Sequence, residues 1–145
     1  MGANGLLALR ANMVIEADML DVGAGARGGN RQLIIDLETS NLNPIDGDII
    51  RFRAVNRFDP DDCFDEWVKP PRPMLPFAEK FIGTTYAKLA HCRSIDAALS
   101  DFLDFIDGAE LLADNLEFDL MFLNAAIAAT CPKNVAYFRI PKSRT

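Results

Sequence analysis

Residues Leu33–Leu42 read LIIDLETSNL, and this stretch restricts the fold more than any other. Four apolar residues surround an acid, and a second acid follows two positions later. Side chains alternate faces along a strand, so Asp36 and Glu38 point the same way. Two neighbouring carboxylates repel each other unless something positive lies between them. The usual solution is a divalent cation such as Mg²⁺ or Mn²⁺, bound through oxygen. A buried strand ending in paired acids therefore predicts a metal site, set against the plainer reading of a solvated surface triplet.

The rest of the composition bounds what such a strand belongs to. A chain of 145 residues suits one compact domain with its own core. At 50% hydrophobic and 25% charged residues it should fold. The net charge of −6 argues against a protein that coats nucleic acid by broad phosphate neutralisation. It leaves a nuclease open, because metal-binding acids add negative charge and their cations restore attraction locally. Cys63, Cys92 and Cys131 are far apart and odd in number. They read as reduced, mostly buried thiols of a reducing, cytoplasmic compartment. No apolar run reaches membrane-span length, and the start of the chain does not read as a secretion signal.

Residues 1–30 read as an extension, with a short helix over Leu6–Leu20 and a linker, Val22–Asn30, carrying four glycines. Residues 31–145 form the expected domain. Leu33–Leu37 has the apolar density of a central strand. Asn41–Gly47 is turn chemistry. Asp48–Asn56 alternates Ile50, Phe52 and Ala54 with Arg51, Arg53 and Val55, which predicts a strand with one mostly solvated face. Asp59–Asp62 reads as an acidic hairpin tip, and Cys63–Val68 as the returning strand, with Trp67 packed. Lys69–Pro76 holds four prolines and reads as a rigid connector. Phe77–Ile82 is a short helix stopped by Gly83, Thr84–Arg93 is loop or a helical turn, and His91 is a surface or structural histidine.

Ser94 caps the clearest helix, whose Ile95, Ala98, Leu99, Phe102, Leu103 and Ile106 share one face before Asp107-Gly108 ends it. Glu110–Ala113 is a short strand. Asp114–Glu117 has capping-box spacing for a helix over Glu117–Ala129, with an apolar stripe of Phe118, Met121, Phe122 and Ala125. Val135–Ile140 adds a strand or belongs to a tail. Hairpins leading into helices and a further strand imply an α/β fold with a mixed sheet. Asp119, in the first turn of the last helix, joins Asp36 and Glu38 if the two apolar strands are neighbours. Three acids at one edge suit a two-metal displacement at phosphorus.

The block IIDLETSNLNPIDGDII resembles the first motif of the DEDD-type 3′→5′ exonucleases, the ribonuclease H-like group that includes polymerase proofreading domains. LLADNLEFDLMFLNAAI resembles that family's second motif. FDEWVKPPRPMLPFAEKFIGTT is similar to its hairpin strand and proline-rich passage, so the resemblance runs roughly from Arg31 to Ala129. It implies a ribonuclease H-like mixed sheet with flanking helices, C-terminally truncated. It implies Asp36, Glu38 and Asp119 as catalytic metal ligands for Mg²⁺ or Mn²⁺. Thr39 and Leu42 would border the terminal nucleotide, and Asn115 and Phe118 would orient or pack the second-motif acid. The implied partners are a single-stranded nucleic-acid 3′ end and a polymerase-type protein or a second copy of the chain, with no membrane.

The departures from the family pattern are specific. No Asp or Glu follows Asp119 and no His follows His91, so the His-x₄-Asp third motif is absent. The usual Ile-Glu-Ile-Gly of the second strand reads Ile50-Arg51-Phe52-Arg53, and the Gly usual before the Leu of the first motif is Asn41. Three acids compensate two cations less well than four. A positioned general base, typically worth ~10²–10⁴-fold, is also missing. The sequence thus implies an impaired exonuclease, or alternatively an inactive exonuclease-fold module that binds nucleic acid, metal or a protein.

Overall fold

The structure, a computed structural model, describes residues 14–15, 31–130 and 137–140. Five strands form one mixed sheet: β1 (Val14–Ile15), β2 (Gln32–Thr39), β3 (Ile49–Asn56), β4 (Asp59–Trp67) and β5 (Glu110–Leu112). Their order is β1-β5-β2-β3-β4, with β2 and β5 parallel and the other pairings antiparallel. The two apolar strands are therefore neighbours, with Leu33 opposite Leu111 and Ile34 opposite Leu112. Four helices follow the hairpins: α1 (Pro76–Ile82), α2 (Tyr86–Leu89), α3 (Ile95–Ile106) and α4 (Leu116–Thr130).

Period-two alternation sends Leu33, Ile35 and Leu37 of β2 and Phe52 and Ala54 of β3 into one core, where α3 and α4 cover them. Phe102 of α3 is its centre, fully buried, with its ring 5.0 Å from Phe52 and 5.4 Å from Phe64. Leu116, Leu120, Leu123 and Ile127 recur along α4 at helical spacing and bury the same side of that helix. A smaller cluster of Ile50, Met74 and Leu89, with Trp67 packed against it, lies under the proline-rich connector. Arg72 ties that connector down, pairing with Asp48 at 3.0 Å and donating to the carbonyls of Ile45 and Gly47. No helix among the described residues is long and apolar enough to cross a membrane.

Several local expectations change. The hairpin turn is Arg57-Phe58, closed by the Phe58 N–H donating to Asn56 Oδ1 at 2.9 Å, so Asp59–Asp62 belong to β4 and are not the tip. Pro60 is tolerated there because β4 is an edge strand. Cys63 is exposed, not buried, since the odd positions of β4 face outward; Cys131 lies outside the described residues. Ser94 stands at the start of α3, but its hydroxyl donates to Asp96 and does not cap the backbone. Asn115 caps α4 in place of Asp114, its Oδ1 accepting from the Phe118 N–H at 3.3 Å. Met121 leaves the expected stripe and is exposed, because burial along α4 follows Leu116 and Leu120 instead.

At the chain ends, Val14–Ile15 pair with Ile15 opposite Leu111 as a strand, against the helix expected over Leu6–Leu20. The rest of that helix and the Val22–Asn30 linker lie outside the described residues. Residues 137–140 are not a strand. Phe138 is buried, and its backbone exchanges hydrogen bonds of 2.8 and 3.0 Å with the Asn124 amide.

Gly83 closes α1 in the left-handed region at φ +88°, its N–H donating to the Glu79 carbonyl at 2.9 Å. Open space surrounds the position, so a methyl group there meets only backbone strain. Gly83→Ala is expected to lower stability by about 1 kcal/mol. An unchanged urea midpoint would show that α1 can end without this cap.

Candidate active site

The β2–β3 hairpin sets the site. Its register places Asp36 directly opposite Arg53 and Glu38 opposite Arg51, before an irregularity between Glu38 and Thr39. Arg53 Nη2 lies 2.6 Å from Asp36 Oδ2 and 3.4 Å from Glu38 Oε2, so one guanidinium spans both acids. Arg51 Nη1 reaches Glu38 Oε2 at 3.2 Å. The remaining edge of Arg51 grips Asp65 of β4 through two bonds of 2.8 Å, and its plane sits 4.5 Å above the Trp67 ring. The face of β3 expected to be solvated is therefore a row of half-buried cross-strand ion pairs.

Asp119 approaches from α4. The parallel pairing of β5 with β2 sets the short Ala113–Asn115 connection beside the end of β2 and aims the first turn of α4 at Leu37. Asp119 is 6% exposed. Burial raises its carboxyl well above the ordinary 3.8, the Asp36 charge raises it further, and a hydrogen bond from the Leu37 backbone opposes them. Asp36 is raised too, by burial first; Arg53 lowers it and Glu38 raises it again. Asp36 and Asp119 thus lie near enough for the charge of one to act on the other.

In front of Asp36 and Glu38 opens a cleft of about 640 Å³. Arg51 and Arg53 share its charged wall, and Thr39 lies beside them, its hydroxyl donating to the Asn41 carbonyl at 2.8 Å. The rest of the lining is apolar: Leu37, Leu42, Phe81, Ile82 and Phe118. Leu42 and Phe81 are more than four-fifths exposed, whereas Phe118 packs its ring 5.0 Å from Phe122. Asn115 does not line the cleft; it holds the first turn of α4, its carbonyl accepting the Asp119 N–H at 3.2 Å. His91 is exposed and apart from this group.

Leu37, Arg51, Arg53, Phe81 and Ile82 are the cleft residues that sequence reasoning did not assign. The signal for the arginines was present: an Arg-x-Arg returning against an Asp-x-Glu across a hairpin. Only the register makes it a pairing. Among the described residues, no three His, Cys, Asp or Glu side chains converge as ligands of one ion.

Residues 33–142 match the model of the RNase_T exonuclease family. The chain is 37% identical over 103 residues to the DNA polymerase III subunit epsilon of Haemophilus influenzae, which covers 66% of this chain and 40% of that protein. It is 30% identical over 95 residues to a PolC-type DNA polymerase III of Streptococcus pyogenes, covering 64% of this chain and 6% of that protein. The chain thus spans less than half the length of these relatives. Among solved structures, the nuclease domain of 3′hExo, a DEDDh family member bound to rAMP, shares the fold with a TM-score of 0.60 at 21% identity, over 79% of this chain and 66% of that one. With the first-motif strand, the parallel β5 and the second-motif helix in these positions, the chain belongs to the DEDD-type 3′→5′ exonuclease family.

Proposed function

We propose that this domain receives the 3′ end of a single-stranded nucleic acid in the cleft before Asp36 and Glu38, and hydrolyses it poorly or not at all. The observation that supports this most is the pairing of an exposed aromatic and aliphatic wall with a carboxylate wall already neutralised by arginine. A phosphate approaching two bare acids would be repelled; two guanidiniums beside Asp36 and Glu38 remove that barrier. Phe81 and Phe118 offer ring faces to the terminal base, and Leu42 offers an apolar contact.

The family generally cleaves phosphodiesters with divalent metal ions, Mg²⁺ or Mn²⁺. The residues present do not fit a metal pair as they stand. Asp36 Oδ2 and Glu38 Oε2 both face Arg53, whose Nε is buried without an acceptor so that Nη2 can reach them. The names of the two curated relatives, both DNA polymerase III proteins, support a polymerase-type partner for this reading.

The test is fluorescence anisotropy with a labelled single strand in EDTA, comparing a free 3′ hydroxyl with a 3′ phosphate. The free end should bind more tightly. Phe81→Ala should weaken it at least about fivefold, the loss of one base–aromatic stack of ~1 kcal/mol. Equal binding of both ends, or no effect of Phe81→Ala, would remove the proposal. A 3′-shortening ladder from a 5′-labelled strand in Mn²⁺, abolished by Asp36→Ala, would instead establish the hydrolytic reading.

A further inference from the structure

The structure assigns to Arg53 the place a divalent cation would take: we propose that its guanidinium is a permanent internal counter-ion that excludes Mg²⁺ and Mn²⁺ from the Asp36–Glu38 pair. One nitrogen, Nη2, sits 2.6 Å from Asp36 Oδ2 and 3.4 Å from Glu38 Oε2, so a single positive group already fills the gap between the two carboxylates. The anchor is the backbone. Arg53 is the ladder partner of Asp36 in the middle of the β2–β3 hairpin, so its Cα cannot swing away without breaking the sheet. A mobile surface arginine would be displaced cheaply; this one is held by strand pairing on both sides, with Ala54 opposite Phe64 and Phe52 opposite Glu66.

Charge leads to the same conclusion. Arg51 is shared between Asp65 and Glu38, so Asp36, Glu38 and Asp65 together face two guanidiniums and keep a surplus of a single negative charge, too little to match a dication. Arg53 also leaves its own Nε buried and unpaired. An orphaned donor is a cost that the carboxylate contacts must offset, so the side chain is held in place by the acids. The site is thus closed by a fixed monocation, and its acids serve as anchors for arginine. This inference rests on the cleft reading only in sharing its acids; it makes no use of nucleic-acid binding.

The experiment is Mn²⁺ binding to the full chain by calorimetry and by electron paramagnetic resonance of free Mn²⁺, with thermal unfolding with and without the metal. Two neutral variants are compared with the wild type. Arg53→Met removes the charge at similar length. Arg53→Gln keeps an amide that can donate to Asp36, and it carries the test if Arg53→Met does not fold. Each folded variant should bind Mn²⁺ at least about tenfold more tightly than the wild type and gain thermal stability from it, where the wild type gains none. Adding Asp36→Ala to either variant should abolish the gain. Wild-type binding as tight as the variants', or variants that bind no more metal than the wild type, would overturn the proposal. Either result leaves the metal-free oligonucleotide assay standing by itself, so the two readings fail separately.

Discussion

Phe102→Ala is expected to lower the unfolding free energy by about 3–5 kcal/mol, the cost of truncating a fully buried phenylalanine whose surroundings cannot close completely. Phe102 has no exposed surface and holds α3 against the sheet through Phe52 and Phe64. Phe52 is the residue between Arg51 and Arg53, so the cavity would open directly beneath the strand that carries both cross-strand ion pairs. Urea unfolding would read the loss as a lower midpoint with an unchanged slope. A loss below about 1.5 kcal/mol would mean that Phe52, Phe64 and Phe105 collapse into the space, and that β3 does not depend on this ring for its position.

Asp119→Asn is expected to stabilise the protein, by on the order of 1–2 kcal/mol near neutral pH. Burial and the nearby Asp36 charge hold the Asp119 carboxyl well above 3.8, so the folded chain keeps a proton that the unfolded chain has already lost. This group's favourable contribution is complete below 3.8 and is lost as pH rises from there through the folded value. Asparagine carries no such penalty and still offers an oxygen to the Leu37 N–H. Melting curves of the two proteins should converge at acid pH and separate as pH rises, by about 4 °C per kcal/mol. Parallel curves, or a less stable variant at pH 7, would show that the Asp119 charge is not a strain on the fold. Stabilisation by removing an acid is the usual mark of a residue kept for chemistry or binding at the expense of stability.

The elements themselves were legible because their signals are local. Apolar density marks β2, a 3.6-residue rhythm marks α3, and Gly83 and Asp107-Gly108 mark the helix ends; each depends on a few adjacent residues. The three acids could also be named from residue type and spacing; Asp36 and Glu38 line one cleft, while Asp119 is buried behind it within reach of the Asp36 charge. The failures lay in which of several adjacent polar residues closes a turn or starts a helix. The acidic run at Asp59–Asp62 reads as a turn, yet the chain turns two residues earlier, where the Asn56 side chain can accept the Phe58 N–H. Asp114 has capping chemistry, yet Asn115 caps, because β5 and its connection to α4 decide which residue stands at the helix start.

What the sequence by itself determined is therefore the inventory: a strand presenting Asp36 and Glu38 on one face, a helix opening with Asp119, and two arginines alternating on the returning strand. Tertiary structure alone decided what that inventory does. Pairing register set Arg53 against Asp36, and the parallel β5 carried Asp119 into range of Asp36. Side-chain periodicity is a property of one element, whereas a charge pair depends on how two elements are aligned. A shift of one residue would have turned both arginines to the other face of the sheet and left the acids without their counter-ions.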